Sequence, residues 1–243
     1  MNQLVHEICT KCPTCQRTKK STIKYGHLPH KEVETQPWEK LCEDMIGSYT
    51  IKNSETGKSL TLQCVTMIDP ATGWFELKIT ESKSAIDVAN IVETTWLSRY
   101  PWPQEIVYDR GSEFMAEFAA MVNDDYGITK QPITVQNSQA NSMIERIHQT
   151  LGNIIRTFEL HGDAEATQET WDGVLSAAMF ALRAIIHTTT QATPMQLVFG
   201  RDAILNIQFE ADWEYIKNRK QKVIDYNNKK ENSKRIPCSY QVN

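Results

Sequence analysis

Three acidic positions carry the chemistry this sequence could do. Asp109 sits in Val107-Tyr108-Asp109-Arg110-Gly111-Ser112-Glu113-Phe114. Gly111 lets the backbone turn sharply there, so the acid can project from the C-terminal end of a strand, where ligands of α/β sheets usually bind. Asp44 lies within a first strand-like run, Cys42-Glu43-Asp44-Met45-Ile46-Gly47. An acid with apolar neighbours is costly unless it is paired, protonated or on a metal. Glu43 competes with it, because strand alternation alone does not say which of the two points where. The third acid is Glu145. Winding residues 141–158 at 100° per residue puts Ile144, Ile147, Leu151, Ile154, Ile155 and Phe158 on one side. Glu145, Gln149, Gly152 and Arg156 fall opposite, flanked by Asn141 and His148. Gly152, on that polar stripe, would admit a bulky partner. Taken singly, each acid also has a plain structural reading. Asp109 could be a turn or cap residue, Asp44 a strand-edge surface acid, and Glu145 part of a solvated helix face.

The elements that must position these acids follow from the pattern. Leu41–Ile46 and Leu60–Ile68 are β-branched or apolar runs bounded by Gly and Pro, hence strands. Trp74–Ile79 follows the turn Asp69-Pro-Ala-Thr-Gly73, so the second and third strands form an antiparallel pair. Ser84 caps a helix that runs to Arg99, with Ala85, Val88, Ala89, Val92 and Trp96 as its apolar stripe. Glu105–Tyr108 is a short strand ending at Asp109. Ser112 to Tyr126 reads as helix, stopped by Gly127. Helices over Ser138 to about Leu160 and Trp171 to Ile186 complete the order. The succession βββαβα followed by helices predicts one mixed α/β domain.

At this point the chain resembles a known family. Asp44, Asp109 and Glu145, with 35 residues between the last two, are similar to the D,D(35)E constellation of retroviral and retrotransposon integrases. The surrounding words agree: Trp38-Glu39-Lys40-Leu41 before Asp44-x-x-Gly47, then Asp109-x-Gly-Ser-Glu-Phe114, then Gln139-Ala140-Asn141-x-x-x-Glu145-Arg146. The run Ala192-Thr193-Pro194-Met195-Gln196-Leu197-Val198-Phe199-Gly200-Arg201 adds a fourth. Together, over about residues 9–205, they resemble a Ty3/gypsy-type retroelement polyprotein. The resemblance implies a ribonuclease H-like fold, a mixed five-stranded sheet flanked by helices.

It also implies 3′-end processing and strand transfer of element DNA. These are in-line displacements at a phosphodiester, in which two Mg²⁺ or Mn²⁺ ions about 3.5–4 Å apart activate the attacking oxygen and stabilise the leaving one. Hard ions of this kind take oxygen ligands. By the family's pattern Asp44 bridges both ions, while Asp109 and Glu145 hold one each. Asn141, His148, Gln149 and Arg156 become candidate contacts to the DNA end. Cys12-x-x-Cys15 resembles the second half of the family's His-His-Cys-Cys zinc module. Structural zinc needs four ligands, and the family's two histidines lie further upstream than this sequence reaches. His6 and Cys9 do not match that pattern. The expectation is a half site, empty unless the histidines are supplied, in a truncated or degraded element or a separate gene fragment. Double-stranded DNA, both element ends and target, is the expected partner, with a homo-oligomer as the working form.

Composition bounds these expectations. The 243 residues are 40% apolar and 23% charged, with net charge −4 and mean hydropathy −0.46. The longest nearly uncharged run, Gly173 to Phe199, is interrupted by Arg183 and His187, so no membrane segment is expected. No basic flank followed by an apolar block marks a secretory signal, and Cys42 and Cys64 sit inside strand-like runs as small hydrophobes. A reducing compartment follows, with the nucleus as the place of action or the cytoplasm, and no secretion. Charge is uneven: residues 214–243 carry eight Lys/Arg against three acids, and residues 1–40 seven against four. Lys217, Arg219, Lys220, Lys222, Lys229, Lys230, Lys234 and Arg235 could meet DNA phosphates or form a solvated helix face. Trp102 reads as a loop anchor and Asp69 as a turn residue. The expected partition is 1–36 as a remnant of the zinc module plus linker, 37–205 as the catalytic core, and 206–243 as a basic helical tail. A transposase or nuclease of the same fold, and a non-catalytic remnant that binds DNA or a partner, are the competing functions.

Overall fold

In the computed structural model the described residues are 11–13, 24–33, 36–52, 59–109, 111–133, 142–161 and 168–238. The alternating runs become strands as their patterns require. After a two-residue strand β1 (Lys24–Tyr25), β2 (Lys40–Lys52) pairs antiparallel with β3 (Ser59–Ile68), which pairs antiparallel with β4 (Phe75–Ile79). On its other side β2 runs parallel to β5 (Glu105–Asp109), and β5 parallel to β6 (Thr129–Ile133). The order is β4-β3-β2-β5-β6, the expected mixed five-stranded sheet. β2, the strand of Asp44, has a neighbour on both sides.

Helices cover both faces. α1 (Ala85–Val92) is capped by Ser84, whose side chain accepts from the Asp87 N–H, and it continues in wider turns through Glu93–Leu97. With α2 (Glu117–Ala120) it buries Val88, Val92, Trp96, Phe114 and Phe118 against Leu41, Val65, Met67 and Tyr108. The opposite face meets α3 (Ser142–His161) and α4 (Gln168–Ala184). Ile144, Leu151, Ile155, Trp171 and Leu175 pack there on Cys42, Leu62, Cys64, Ile68 and Val107. Ile144, Leu151 and Ile155 are apolar positions of the helical wheel for α3, driven inward by the area they remove from water.

Two expectations differ from what forms. The single helix read over Ser112 to Tyr126 is three pieces, Ser112–Phe114, Glu117–Ala120 and Met121–Asp125. The break falls at Ala116, whose φ is +46°, a value helical backbone excludes. The residue pattern marks only four strands, because Pro132 weakens that of β6, the fifth that the resemblance implies. It is an edge strand, where a residue without an N–H is tolerated.

Contacts divide the chain into one compact unit of residues 34–217 and another formed by both ends, 1–33 and 218–243. The first also holds α5 (Pro194–Phe199), opened by a Thr193–Gln196 capping box. Helix α6 (Trp213–Asn232) gives its first residues to the core unit, where Ile216 packs with Ala192 and Leu197. The ends, read from sequence as separate pieces, share one unit because α6 binds the N-terminal segment through polar side chains. Gln221 donates to the Lys31 carbonyl, Asn228 to the Pro29 carbonyl, and Asn232 exchanges hydrogen bonds with the Leu28 backbone. β1 also pairs in parallel with β7 (Arg235–Ile236).

A carboxylate face on the central strand

Alternation along β2 separates Glu43 from Asp44. Glu43 is wholly buried on the α1/α2 side, among the neighbours of Leu41 and Met45, and neither carboxylate oxygen has a hydrogen-bond partner. Burial drives its pKa well above the usual carboxylate range. Asp44 opens on the other face, toward α3. Its Oδ1 accepts from the Met45 N–H at 2.8 Å, and its Oδ2 lies 3.6 Å from His148 Nδ1. Beyond Ile46 the register with β3 shifts at a bulge. Gly47 sits there with φ +101°, and a Cβ on it would stand 2.5 Å from the Leu62 carbonyl oxygen, so this turn after the acid requires glycine.

Asp109 ends β5, and its Oδ1 accepts from the Gly111 N–H at 2.9 Å. Glu145 is an exposed residue in the first turn of α3. The charges of Asp109, Glu113 and Glu145 all act on Asp44. With burial as the largest cause, opposed by the Met45 N–H, they lift its pKa to about 6. Glu113 is the member that sequence reasoning left out, although it stands in the Asp109-x-Gly-Ser-Glu word itself. Its carboxylate lies 2.6 Å from where a Cβ on Gly111 would be, so that glycine makes room for it. Among the described residues, no three His, Cys, Asp or Glu side chains stand close enough together to hold a metal ion as they lie.

Two residues of the polar stripe, His148 and Gly152, are placed differently from expectation. His148 is not on an open DNA-facing stripe. It is mostly buried against β2 and β3, with Nε2 2.8 Å from Thr66 Oγ1, and burial pushes its pKa down to about 4. Gly152 is also buried, and the group that approaches it is Tyr49, whose hydroxyl would stand 3.4 Å from a Cβ. Gln149 and Arg156 are exposed, and Arg156 donates to the Gly152 carbonyl and to Asn153. Asn141 and Cys15 lie outside the described residues, as do His6 and Cys9, while Cys12 is half-buried. Asp69 accepts from Ala71 and Thr72 in its turn, and the Trp102 indole donates to the Leu97 carbonyl. A cavity of about 380 Å³ beside β4 and α4, lined by Glu76, Arg99 and Asp172 among others, includes none of the four carboxylates.

Charge is segregated between the two units. Residues 1–33 and 218–243 hold thirteen Lys/Arg and four Asp/Glu; residues 34–217 hold thirteen and twenty-six. On α6, Arg219, Lys222, Tyr226, Lys229 and Lys230 fall within one arc of about 100°. The acids of that segment lie elsewhere on the helix: Asp225 is 3.8 Å from His30, and Glu231 pairs with Lys24 at 2.8 Å.

No family model matches the chain. The Retrovirus-related Pol polyprotein from transposon gypsy of Drosophila melanogaster is 24% identical over 205 residues, covering 82% of this chain and 18% of that protein. The Pro-Pol polyprotein of simian foamy virus type 3 is 23% identical over 199 residues, covering 82% of this chain and 16% of its own length. The homologues are retrotransposon and retroviral Pol polyproteins. This chain spans less than a fifth of the length of these relatives. A chain in the structure of a simian T-cell lymphotropic virus intasome with the PP2A regulatory subunit B56 gamma superposes with TM-score 0.56 at 14% identity, over 86% of this chain and 71% of that one. The fold is ribonuclease H-like. The expected mixed five-stranded sheet with flanking helices is the one that forms. Among the described residues no helix is long and apolar enough to cross a membrane.

Proposed function

We propose that this chain is the catalytic core of a retroelement integrase, a polynucleotidyl transferase that processes 3′ ends and transfers strands of element DNA. The observation that supports this reading is electrostatic: Asp109, Glu113 and Glu145 all act on Asp44. Four carboxylates that repel one another have a deficit of positive charge, and their oxygens suit a hard divalent cation. Asp44, Asp109 and Glu145 would be the residues to hold Mg²⁺ or Mn²⁺. When bound, two such ions would activate the attacking oxygen and stabilise the leaving one.

The residues of the chain supply the rest. β2, fixed between two neighbours, holds Asp44 against the sheet, and the Met45 N–H orients its carboxylate. The Gly111 N–H does the same for Asp109. The core unit carries twice as many acids as bases, so most phosphate contacts would come from the basic terminal unit, with Lys222, Lys229 and Lys230 on its exposed helix face. Two DNA ends must be joined to one target, which favours a homo-oligomer as the working form. Nicking and joining of labelled duplex ends by the full chain in Mg²⁺ or Mn²⁺, absent in excess EDTA, tests the reading. A folded chain that binds duplex DNA and never cuts or joins it under either metal would favour a non-catalytic remnant.

A further inference from the structure

The structure assigns His148 as a nitrogen donor to a divalent cation shared with Asp44, an inference that rests on the metal-dependent reading of Asp44 above. Thr66 Oγ1 lies 2.8 Å from the Asp44 main-chain oxygen and 2.8 Å from His148 Nε2. A carbonyl oxygen can only accept, so the single hydroxyl proton of Thr66 goes to it. Thr66 Oγ1 is then the acceptor for the imidazole, and Nε2 carries the ring proton. In that tautomer Nδ1 has no proton and presents its lone pair.

That lone pair faces a carboxylate. Nδ1 and Asp44 Oδ2 are 3.6 Å apart, too far for a hydrogen bond and with no proton of the imidazole between them. Two acceptors aimed at each other make a poor contact for the bare protein and a good one for a cation. Donors about 2.1 Å from an ion stand roughly 3.0 Å apart in octahedral geometry and roughly 3.4 Å in tetrahedral geometry. The observed separation is a little wider than either, within reach of a small side-chain adjustment. The two side chains are only 16% and 26% exposed, so the pair is partly withdrawn from solvent. Thr66, from the neighbouring strand, supplies the outer hydrogen bond that fixes the orientation and tautomer of ligating histidines. His148 follows Glu145 by three residues on α3, which brings both side chains to one edge of the helix. The consequence is a mixed nitrogen–oxygen donor pair at the first acid, which Mn²⁺ accepts more readily than Mg²⁺, a hard ion that takes oxygen ligands.

Pulsed electron paramagnetic resonance of the full chain loaded with Mn²⁺ reads this directly. The expected spectrum shows ¹⁴N modulation from one directly bound imidazole. His148→Gln, shown folded by circular dichroism, should lose that modulation and bind Mn²⁺ about tenfold or more weakly. Mn²⁺ bound to the parent without ¹⁴N modulation, or an unchanged spectrum in His148→Gln, overturns the assignment while leaving the metal reading of Asp44 intact. Asp44→Asn that binds Mn²⁺ as tightly as the parent overturns both. The modulation is measured on the parent chain, so a His148 variant that failed to fold would not remove the test.

Discussion

Glu43 and Asp44 are adjacent on one strand, yet the first is sealed among apolar side chains without a hydrogen-bond partner while the second faces a cluster of carboxylates. A central strand that places an acid at the site must place its neighbour in the opposite core. An apolar residue would fill that position more favourably, so Glu43 is a cost to stability.

Glu43→Met should therefore stabilise the fold by about 1–3 kcal/mol, because it removes a buried polar group that has no hydrogen-bond partner. The folded pKa of Glu43 lies above its unfolded value near 4.5, so the folded state binds the extra proton. Stability should fall as pH rises from about 4.5 toward the folded pKa, and Glu43→Met should flatten that slope. Urea midpoints measured between pH 4.5 and 8 for both proteins check this; a destabilised Glu43→Met with the parental slope would contradict it.

A second buried acid is compensated. Glu76 meets Arg183 at 2.7 Å and Arg99 at 3.6 Å, and it accepts from the Tyr100 hydroxyl. Arg183 also donates to the Phe75 carbonyl and stacks on Trp74, with its guanidinium carbon 4.3 Å from the ring centre. Arg183→Ala leaves Glu76 buried with only the weaker partners and should cost about 3–5 kcal/mol. Thermal melts that move by only a degree or two would show that Arg99 and Tyr100 suffice.

Charge reversal on α6 tests where DNA is held. Lys222→Glu, Lys229→Glu and Lys230→Glu together should weaken duplex binding at least tenfold near 0.1 M salt. They should also reduce the salt dependence by about 0.9 per lost phosphate contact. Fluorescence anisotropy across a salt series measures both quantities. Unchanged affinity would move the DNA contact off this helix.

Much of this could be read from residue order, and the exceptions have physical causes. The acids, the first three strands and the apolar side of α3 were legible because period-two and period-3.6 patterns are strong there. Which of Glu43 and Asp44 faces the site was not, since either phase of the alternation puts one acid inside. His148 lies at the margin of the polar stripe on the wheel, and a wheel does not reveal that this margin rests on Asp44 and Thr66. Glu113 was missed because the pattern from Ser112 reads as one continuous helix, whereas Ser112–Phe114 is a short turn of its own directly after Asp109 and Gly111. The terminal unit was illegible because α6 docks through Gln221, Asn228 and Asn232 rather than an apolar stripe, so no core face marked it.

Disintegration of a branched DNA substrate is the decisive measurement for the proposal that Asp44, Asp109 and Glu145 together perform metal-dependent phosphodiester transfer. The branched molecule already holds the reacting ends together, which removes the entropic demand of assembling two DNA ends on a multimer. The full chain should release the joined strand in Mn²⁺ or Mg²⁺ and do nothing in excess EDTA. Glu145→Gln keeps the shape of the side chain and removes the anionic ligand, and it should lower the rate by about a hundredfold or more. Equal rates for the parent and Glu145→Gln, or a reaction that persists in EDTA, would contradict the account.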